Sequence, residues 1–549
     1  MGSIFGAVGE LAPLGTYGVG TDVRCRTTQS LLPIFHQAPI SKYHRPTMAD
    51  PATHESDFHG LTWVQEGIWD VEPRWTIEPN EEAIRETVQS SLNLPASPNN
   101  TINFLAQGAF NKVYVVAHAD KEVIARVTLP ADPIWKTLSE VATLRWVREN
   151  TSLPVPDVLA YQADRSSAIG FEWIAMTKIP GRSLRELWRD VSLSAKEEIV
   201  RQLAVFCAET FRAQLRGIGN LYLLDDTKEA SPSKAFSPKT GPIPDGFVQS
   251  SGSFRVGRIV SPEFIWENRI HAEVSRGPFV SSKDWLLARL ELVEIECRRG
   301  LSRLQRKNSS APGHEKGGGP QSESGKDSEG QGEEETTTED READKENDNT
   351  DRQKDNDEDD EGDDDLEDLT NTMSIISRLR PHLDDFIPAP TIEPEPSMIL
   401  HDDLSRSNTM VDHNGTLTGV IDWECVSAVP LWAACQMPSF LAGKPRDDKP
   451  DEAIYQHDED GNVTELFWEH LDEYELTRLR SVFLGEIGRL QPGWVEVFES
   501  SQRQRDFDLA VSCCNDEFMI RRILNWLDDV ERGVDGYEGL EERIDNASL

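Results

Sequence analysis

One stretch of 27 residues restricts the fold of this chain more than any other. It reads Met398-Ile-Leu-His-Asp-Asp-Leu-Ser-Arg-Ser-Asn-Thr-Met-Val-Asp412, then His-Asn-Gly-Thr-Leu-Thr-Gly, then Val420-Ile-Asp-Trp-Glu424. An apolar run enters a polar loop that carries His401, Asp403 and Asn408. A short strand leaves the loop, the Asp-His-Asn-Gly turn reverses it, and a second strand closes on Asp422. Phosphoryl transfer accounts for every polar element of this device. A carboxylate has to accept the hydrogen of the acceptor hydroxyl, and Asp403 suits that role. Oxygen ligands have to hold Mg2+ against the phosphates, and Asn408 and Asp422 can supply them from adjacent turns. His401 is expected to brace the loop through its ring nitrogens.

The remainder of the 549 residues is uneven in charge. The chain has 56 basic against 97 acidic residues, a formal net charge of -41. Phosphate neutralisation needs a basic face, so a nucleic-acid partner is not expected. Docking on anionic lipid is excluded on the same ground. Between Ala311 and Thr370 lie 25 acidic and 6 basic residues and no aromatic one, a net of -19. Such a composition cannot offset chain entropy by burial, so a disordered acidic insert is expected over 306–370. The first 47 residues hold only two acids, Glu10 and Asp22, and 1–57 is read as a variable tail. No apolar run approaches the roughly 18 residues that a membrane-spanning helix needs. The seven cysteines form no CxxC pair and read as reduced thiols, with Cys513-Cys514 in a helical core.

Periodicity divides the ordered part in two. A helix capped by Asn80 is expected in an N-terminal extension over 58–100. The period then changes to two. Val113–His118 and Val123–Thr128 read as a hairpin closed by Ala119–Glu122. Leu138, Val141, Leu144 and Val147 place a helix at 137–150, and a strand pair follows at 157–162 and 171–178. Beyond Ser183 the pattern is mostly helical. Ser194 and Glu197 read as a capping box ahead of a buried stripe of Ile199, Val200, Leu203, Phe206 and Cys207.

The segment His401 to Glu424 resembles the catalytic and metal-binding loops of the aminoglycoside phosphotransferase family. The wording HDDLSxxN and VIDWECVSAVPLW is most like its large fungal phosphotransferase-domain members. The resemblance implies a bilobal, protein-kinase-like α+β fold: a small β-rich N-lobe over 101–180, and a larger, mostly helical C-lobe over 181–549 that the acidic insert interrupts. It makes Asp403 the catalytic base, Asn408 and Asp422 the Mg2+ ligands, and Glu424 a further acid of the metal site. Asp402 stands where the bacterial drug-modifying members usually have Gly. Upstream, Phe104 to Tyr114 occupies the place of a phosphate-covering loop with Gly108 as its single glycine; a plain turn is the other reading. Arg126 stands where kinases have Lys, with Glu140 on the next helix as its partner. That pair would clamp the nucleotide phosphates, although a guanidinium fork is not an ammonium. The alternative is a surface Arg on an edge strand. Lys178-Ile-Pro-Gly-Arg-Ser-Leu184 is similar to the inter-lobe hinge.

The resulting expectation is an ATP- and Mg2+-dependent enzyme that phosphorylates a hydroxyl of a small molecule. A nucleotide-binding pseudokinase or scaffold, engaging basic partners through its acidic insert, is the alternative. The expected location is the cytoplasm, with mitochondrial import as the second reading. Acceptor identity and oligomeric state are left open.

Overall fold

A computed structural model describes residues 58–547 apart from 67–69, 96, 98–99, 120, 225–246, 250–251, 311–348, 459–460 and 534–535. The expected tail 1–57 and the middle of the acidic insert therefore lie outside the described residues.

Strands β1 (Leu61–Glu66) and β2 (Asp70–Trp75) form a hairpin ahead of helix α1 (Glu81–Ser91). Asn80 caps α1 as expected, accepting a 2.9 Å hydrogen bond from the Ala83 amide. The hairpin was not anticipated. A five-stranded antiparallel sheet follows: β3 (Thr101–Gln107), β4 (Asn111–His118), β5 (Lys121–Thr128), β6 (Val158–Gln162) and β7 (Glu172–Thr177). Its spatial order is β3-β4-β5-β7-β6. The register of the central hairpin runs from Asn111 opposite Thr128 to His118 opposite Lys121, and much of both strands is buried on both faces, so burial does not keep the expected period of two.

Helix α2 (Trp135–Asn150) crosses between β5 and β6. It is buried around most of its circumference, because the sheet covers one side and β10 (Leu221–Leu223) the other. No side chain of its own segment caps its first turn. Glu172 of β7 does so instead, accepting from the Ile134 amide at 2.8 Å and the Thr137 hydroxyl at 2.5 Å.

The second lobe starts with β8 (Arg182–Ser183), α3 (Leu184–Leu187) and α4 (Leu193–Arg212). The capping box expected at Ser194 is displaced: Ser192 is the cap, accepting from the Ala195 amide at 3.3 Å. Serines two positions apart compete for the role, and the fit of the first turn to its neighbours selects one. The stripe Ile199, Val200, Leu203, Phe206 and Cys207 is buried, and α4 packs on the helix Glu465–Leu490.

Three small sheets carry the loops of interest. β9 (Leu215–Arg216) borders β13 (Pro396–Leu400), which pairs with β16 (Ser427–Pro430). β8 borders β14 (Thr409–Val411), which pairs with β15 (Leu417–Val420). β12 (Phe254–Val256) pairs with β10 on one side and β11 (Phe247–Val248) on the other. Gly181 precedes β8 with φ +106°, and a Cβ there would stand 2.1 Å from the Val411 carbonyl oxygen. Only glycine permits that approach.

The acidic insert is where the expectation needs correction. Its ends are helical: 306–310 finish the helix Ser282–Ser310, and 349–370 begin the helix Asn349–Phe386. These two helices pack together, and Leu369 sits against Gly300, within the span read from composition as spacer. Composition averaged over a window hides one apolar contact that lets a helix extend. The architecture is otherwise as expected, a small β-rich lobe above a larger, mostly helical one. The six described cysteines are buried, Cys513 and Cys514 among them. Among the described residues no helix is long and apolar enough to cross a membrane.

Candidate active site

The loop from His401 to Asn408 leaves β13 at the junction of the lobes, and the loop from Ile421 to Val426 leaves β15 beside it. One backbone bond ties them, the Ile421 amide donating to the Asn408 carbonyl at 2.9 Å. His401 is 5% exposed and its ring meets that of Trp423 edge-on at 4.7 Å. Burial pushes its imidazole down to about 4, so the ring is neutral. A carbonyl can only accept, so Nε2–H donates to the Ile421 oxygen at 3.4 Å. His401 Nε2 thus links one loop to the other.

Asp403 is open to the cleft, whereas Asn408 is buried. The Asn408 amide donates to the Asp403 carboxylate at 2.7 Å and to its carbonyl at 3.0 Å. Desolvation raises the Asp403 carboxyl above its usual range, against hydrogen bonds from Ser405 and Asn408. Asp402 accepts from the Asp403 amide at 3.0 Å. Its carboxyl is pushed up to about 6, by desolvation first and the Asp403 charge second.

Asp422 takes a left-handed backbone, φ +65°, which aspartate tolerates better than most residues. Its side chain is 44% accessible and lies 3.6 Å from Arg126, the residue on the opposing lobe. Accessibility and desolvation coexist here, because the carboxylate faces a cleft walled by protein. Desolvation, then the charge of Glu424, holds the Asp422 carboxyl above its usual range despite Arg126 and Lys136. Arg126 is 5% exposed and forms an ion pair with Glu140 of α2, itself 2% exposed. The expected Arg126–Glu140 pair is formed, and the surface-arginine reading is set aside. Gly108 is at the β3–β4 turn, its amide donating to the Asn111 carbonyl at 2.9 Å. No heavy atom lies within 4 Å of where a Cβ would stand there.

Glu424 goes elsewhere. Its carboxylate is held by the ammonium of Lys136 and by the amide of Asn111, the latter at 2.6 Å. Burial raises the Glu424 carboxyl, but Lys136 and Arg126 outweigh it and the net direction is down. Neither Lys136 nor Asn111 was anticipated. One signal did exist for Lys136, which precedes Glu140 by four residues and so shares its helix face. Arg258 pairs with Asp132 at 2.7 Å, just ahead of α2.

A subtelomeric hrmA-associated cluster protein of Aspergillus fumigatus is 34% identical over 177 residues, 32% of this chain and 32% of that protein. Altered inheritance of mitochondria protein 9, mitochondrial, of Meyerozyma guilliermondii is 26% identical over 215 residues, 37% of this chain and 34% of that one. This chain thus spans about a third of the length of these relatives. Among solved structures, aminoglycoside phosphotransferase APH(4)-Ia superposes with a TM-score of 0.34 at 11% identity, covering 83% of this chain and 100% of that one. The model of the phosphotransferase enzyme family matches residues 101–307 and 321–433, more than half of the chain and both loops of the cleft, and the chain belongs to that family.

Proposed function

We propose that this protein is an ATP- and Mg2+-dependent phosphotransferase that moves the γ-phosphoryl group to a hydroxyl of a small molecule. The observation that carries the reading is the joining of the two loops: Asn408 holds the Asp403 carboxylate with its side chain and the Ile421 amide with its carbonyl. One residue thereby sets the distance between a candidate base and Asp422. In this reading Asp403 accepts the proton of the acceptor hydroxyl as its oxygen attacks the γ-phosphorus and ADP departs. Arg126, kept in place by Glu140, pairs with the phosphates, and His401 keeps the loops in register without titrating near neutral pH.

Mg2+ fits the residues present. It is bound through one or two protein oxygens with substrate phosphates completing its shell, and Asn408 and Asp422 offer such a pair. Asp422 lies 3.6 Å from the Arg126 guanidinium, whose closer partner is Glu140, so the Asp422 carboxylate has oxygen to offer a cation. When bound, the ion would neutralise charge on the phosphate oxygens.

The test is an ATP turnover screen against a panel of hydroxyl metabolites with and without Mg2+. Turnover with no member of the panel, together with intact nucleotide binding, would favour the pseudokinase or scaffold. Two features support that second reading: an arginine in the place of the kinase lysine, and a phosphate loop with one glycine. We keep the cytoplasm as the location. The mitochondrial name of one relative supports the import alternative, which fractionation of a tagged chain decides.

A further inference from the structure

Two acids follow β15 two positions apart, and their side chains part company. Asp422 turns towards Arg126. Glu424 is gripped by Lys136 and Asn111. The grip is fully built. Lys136 is 1% exposed in the first turn of α2, and Asn111 is the buried first residue of β4. The Asn111 side-chain oxygen accepts from the Thr128 hydroxyl at 2.9 Å and from the Lys136 ammonium at 3.3 Å, while its amide is spent on Glu424. Three elements thus meet on one carboxylate: the strand after the phosphate-loop turn, helix α2, and the loop after β15.

Apolar contacts close the same seam. Phe110, next to Asn111, packs edge-on to Trp266 of the second lobe at 5.2 Å and to Trp63 at 6.3 Å. The Lys136 ammonium stands 5.6 Å from the Phe110 ring centre. Arg126 pairs with Glu140 and Lys136 with Glu424, while Asp422 has a longer, 3.6 Å contact with Arg126.

We propose that Glu424 is an inter-lobe anchor rather than a metal ligand, and that Lys136 is the positioning residue that, with Asn111, draws it away from the cleft and fixes the loop on which Asp422 is presented. This deepens the phosphotransferase reading and rests on it for the role of Asp422. The anchor itself does not depend on that role. It also reassigns Glu424, which the family resemblance had counted as a further acid of the metal site.

The experiment uses the full chain with Lys136→Met, Lys136→Arg, Glu424→Gln, the double variant Lys136→Met/Glu424→Gln, and Asp422→Asn as comparator. ADP affinity is measured calorimetrically with and without MgCl2, and the ratio of the two is the readout. A residue that orients a metal ligand changes metal affinity by about 10- to 100-fold when removed. Lys136→Met and Glu424→Gln should therefore lower the Mg2+ ratio by similar amounts, the double variant by no more than either, and Lys136→Arg should restore most of it. A residue that only stabilised the fold would lower the melting temperature and leave the ratio alone. The proposal is overturned if Glu424→Gln matches Asp422→Asn while Lys136→Met leaves the ratio intact, since Glu424 would then be a ligand. It is equally overturned if the two single effects multiply in the double variant. The double variant also guards against misfolding, because it leaves no unpaired buried charge.

Should Asp422→Asn leave the Mg2+ ratio unaltered, the phosphotransferase reading of Asp422 falls, and amide exchange decides the anchor. Exchange that rises together in 111–116 and 420–426 in each single variant supports it; a rise confined to one lobe overturns it.

Discussion

Asp403 is exposed and Asn408 buried, so the hydrogen bond between them orients the Asp403 carboxylate from a fixed support. Replacing Asp403 by Asn keeps the shape and removes the proton acceptor. Turnover should fall by roughly 10²–10⁴, the usual worth of a general base, with ATP·Mg2+ affinity retained. Unchanged turnover would remove Asp403 from the mechanism. Asp422→Ala acts on the other step. It deletes a carboxylate oxygen offered to the ion, so nucleotide binding should lose its Mg2+ dependence, which titration of ADP at several Mg2+ concentrations will reveal. At this scale the sequence made the proximity of these residues legible. His401, Asp403, Asn408 and Asp422 sit within 22 residues of one another, and a hairpin that short has little choice of where to put them.

Between elements, Glu172 caps α2 from a neighbouring strand and is 2% exposed. Burial pushes its carboxyl up to about 7, against hydrogen bonds from Thr137 and Ile134. A folded-state value above the ordinary 4.5 means that the native chain holds the extra proton across that interval. Stability from this group is therefore full below the interval and is lost as pH rises through it. Glu172→Gln stays neutral, so between about pH 5 and about pH 8 it should gain on the parent by up to about 3 kcal/mol. Denaturant melts of both proteins at the two pH values measure the gain, and a constant difference between them would contradict it. Gly181→Ala tests the junction of β8 with β14. The added methyl meets the Val411 oxygen and the left-handed φ is unfavourable, so a loss of about 1–3 kcal/mol is expected in the same melts. Element types were legible because β4 and β5 are rich in β-branched residues and α4 carries a stripe. The hairpin of β1 and β2 was missed, since two six-residue strands ahead of a stronger helix signal say little until a partner is known.

At the scale of the whole molecule, the acidic insert can be shortened but not removed as first drawn. Leu369 packs against Gly300, so residues 366–370 belong with the helix that continues to Phe386. Residues 311–348 have no apolar periodicity, and loop closure changes by only about 0.6 kcal/mol per doubling of length. Replacing 311–348 with a short Gly/Ser link should leave the melting temperature equal or slightly raised, and turnover in high salt unchanged. A variant that unfolds would assign those residues a part in the core.

By itself the sequence determined the division into a strand-rich and a helical part, the short hairpin between Asn408 and Asp422 and the sign of the net charge. These follow from local periodicity and composition, which need no knowledge of neighbours. Only the tertiary structure decided that Lys136 and Asn111 would claim Glu424, that Glu172 would cap α2, and that Arg126 would stand between Glu140 and Asp422. Lys136 and Glu424 are 288 positions apart. Nothing in a one-dimensional pattern selects that acid over the other 96 in the chain. The choice is made when burial strips water from both groups, because a buried ammonium is tolerated only where the fold supplies a carboxylate to meet it.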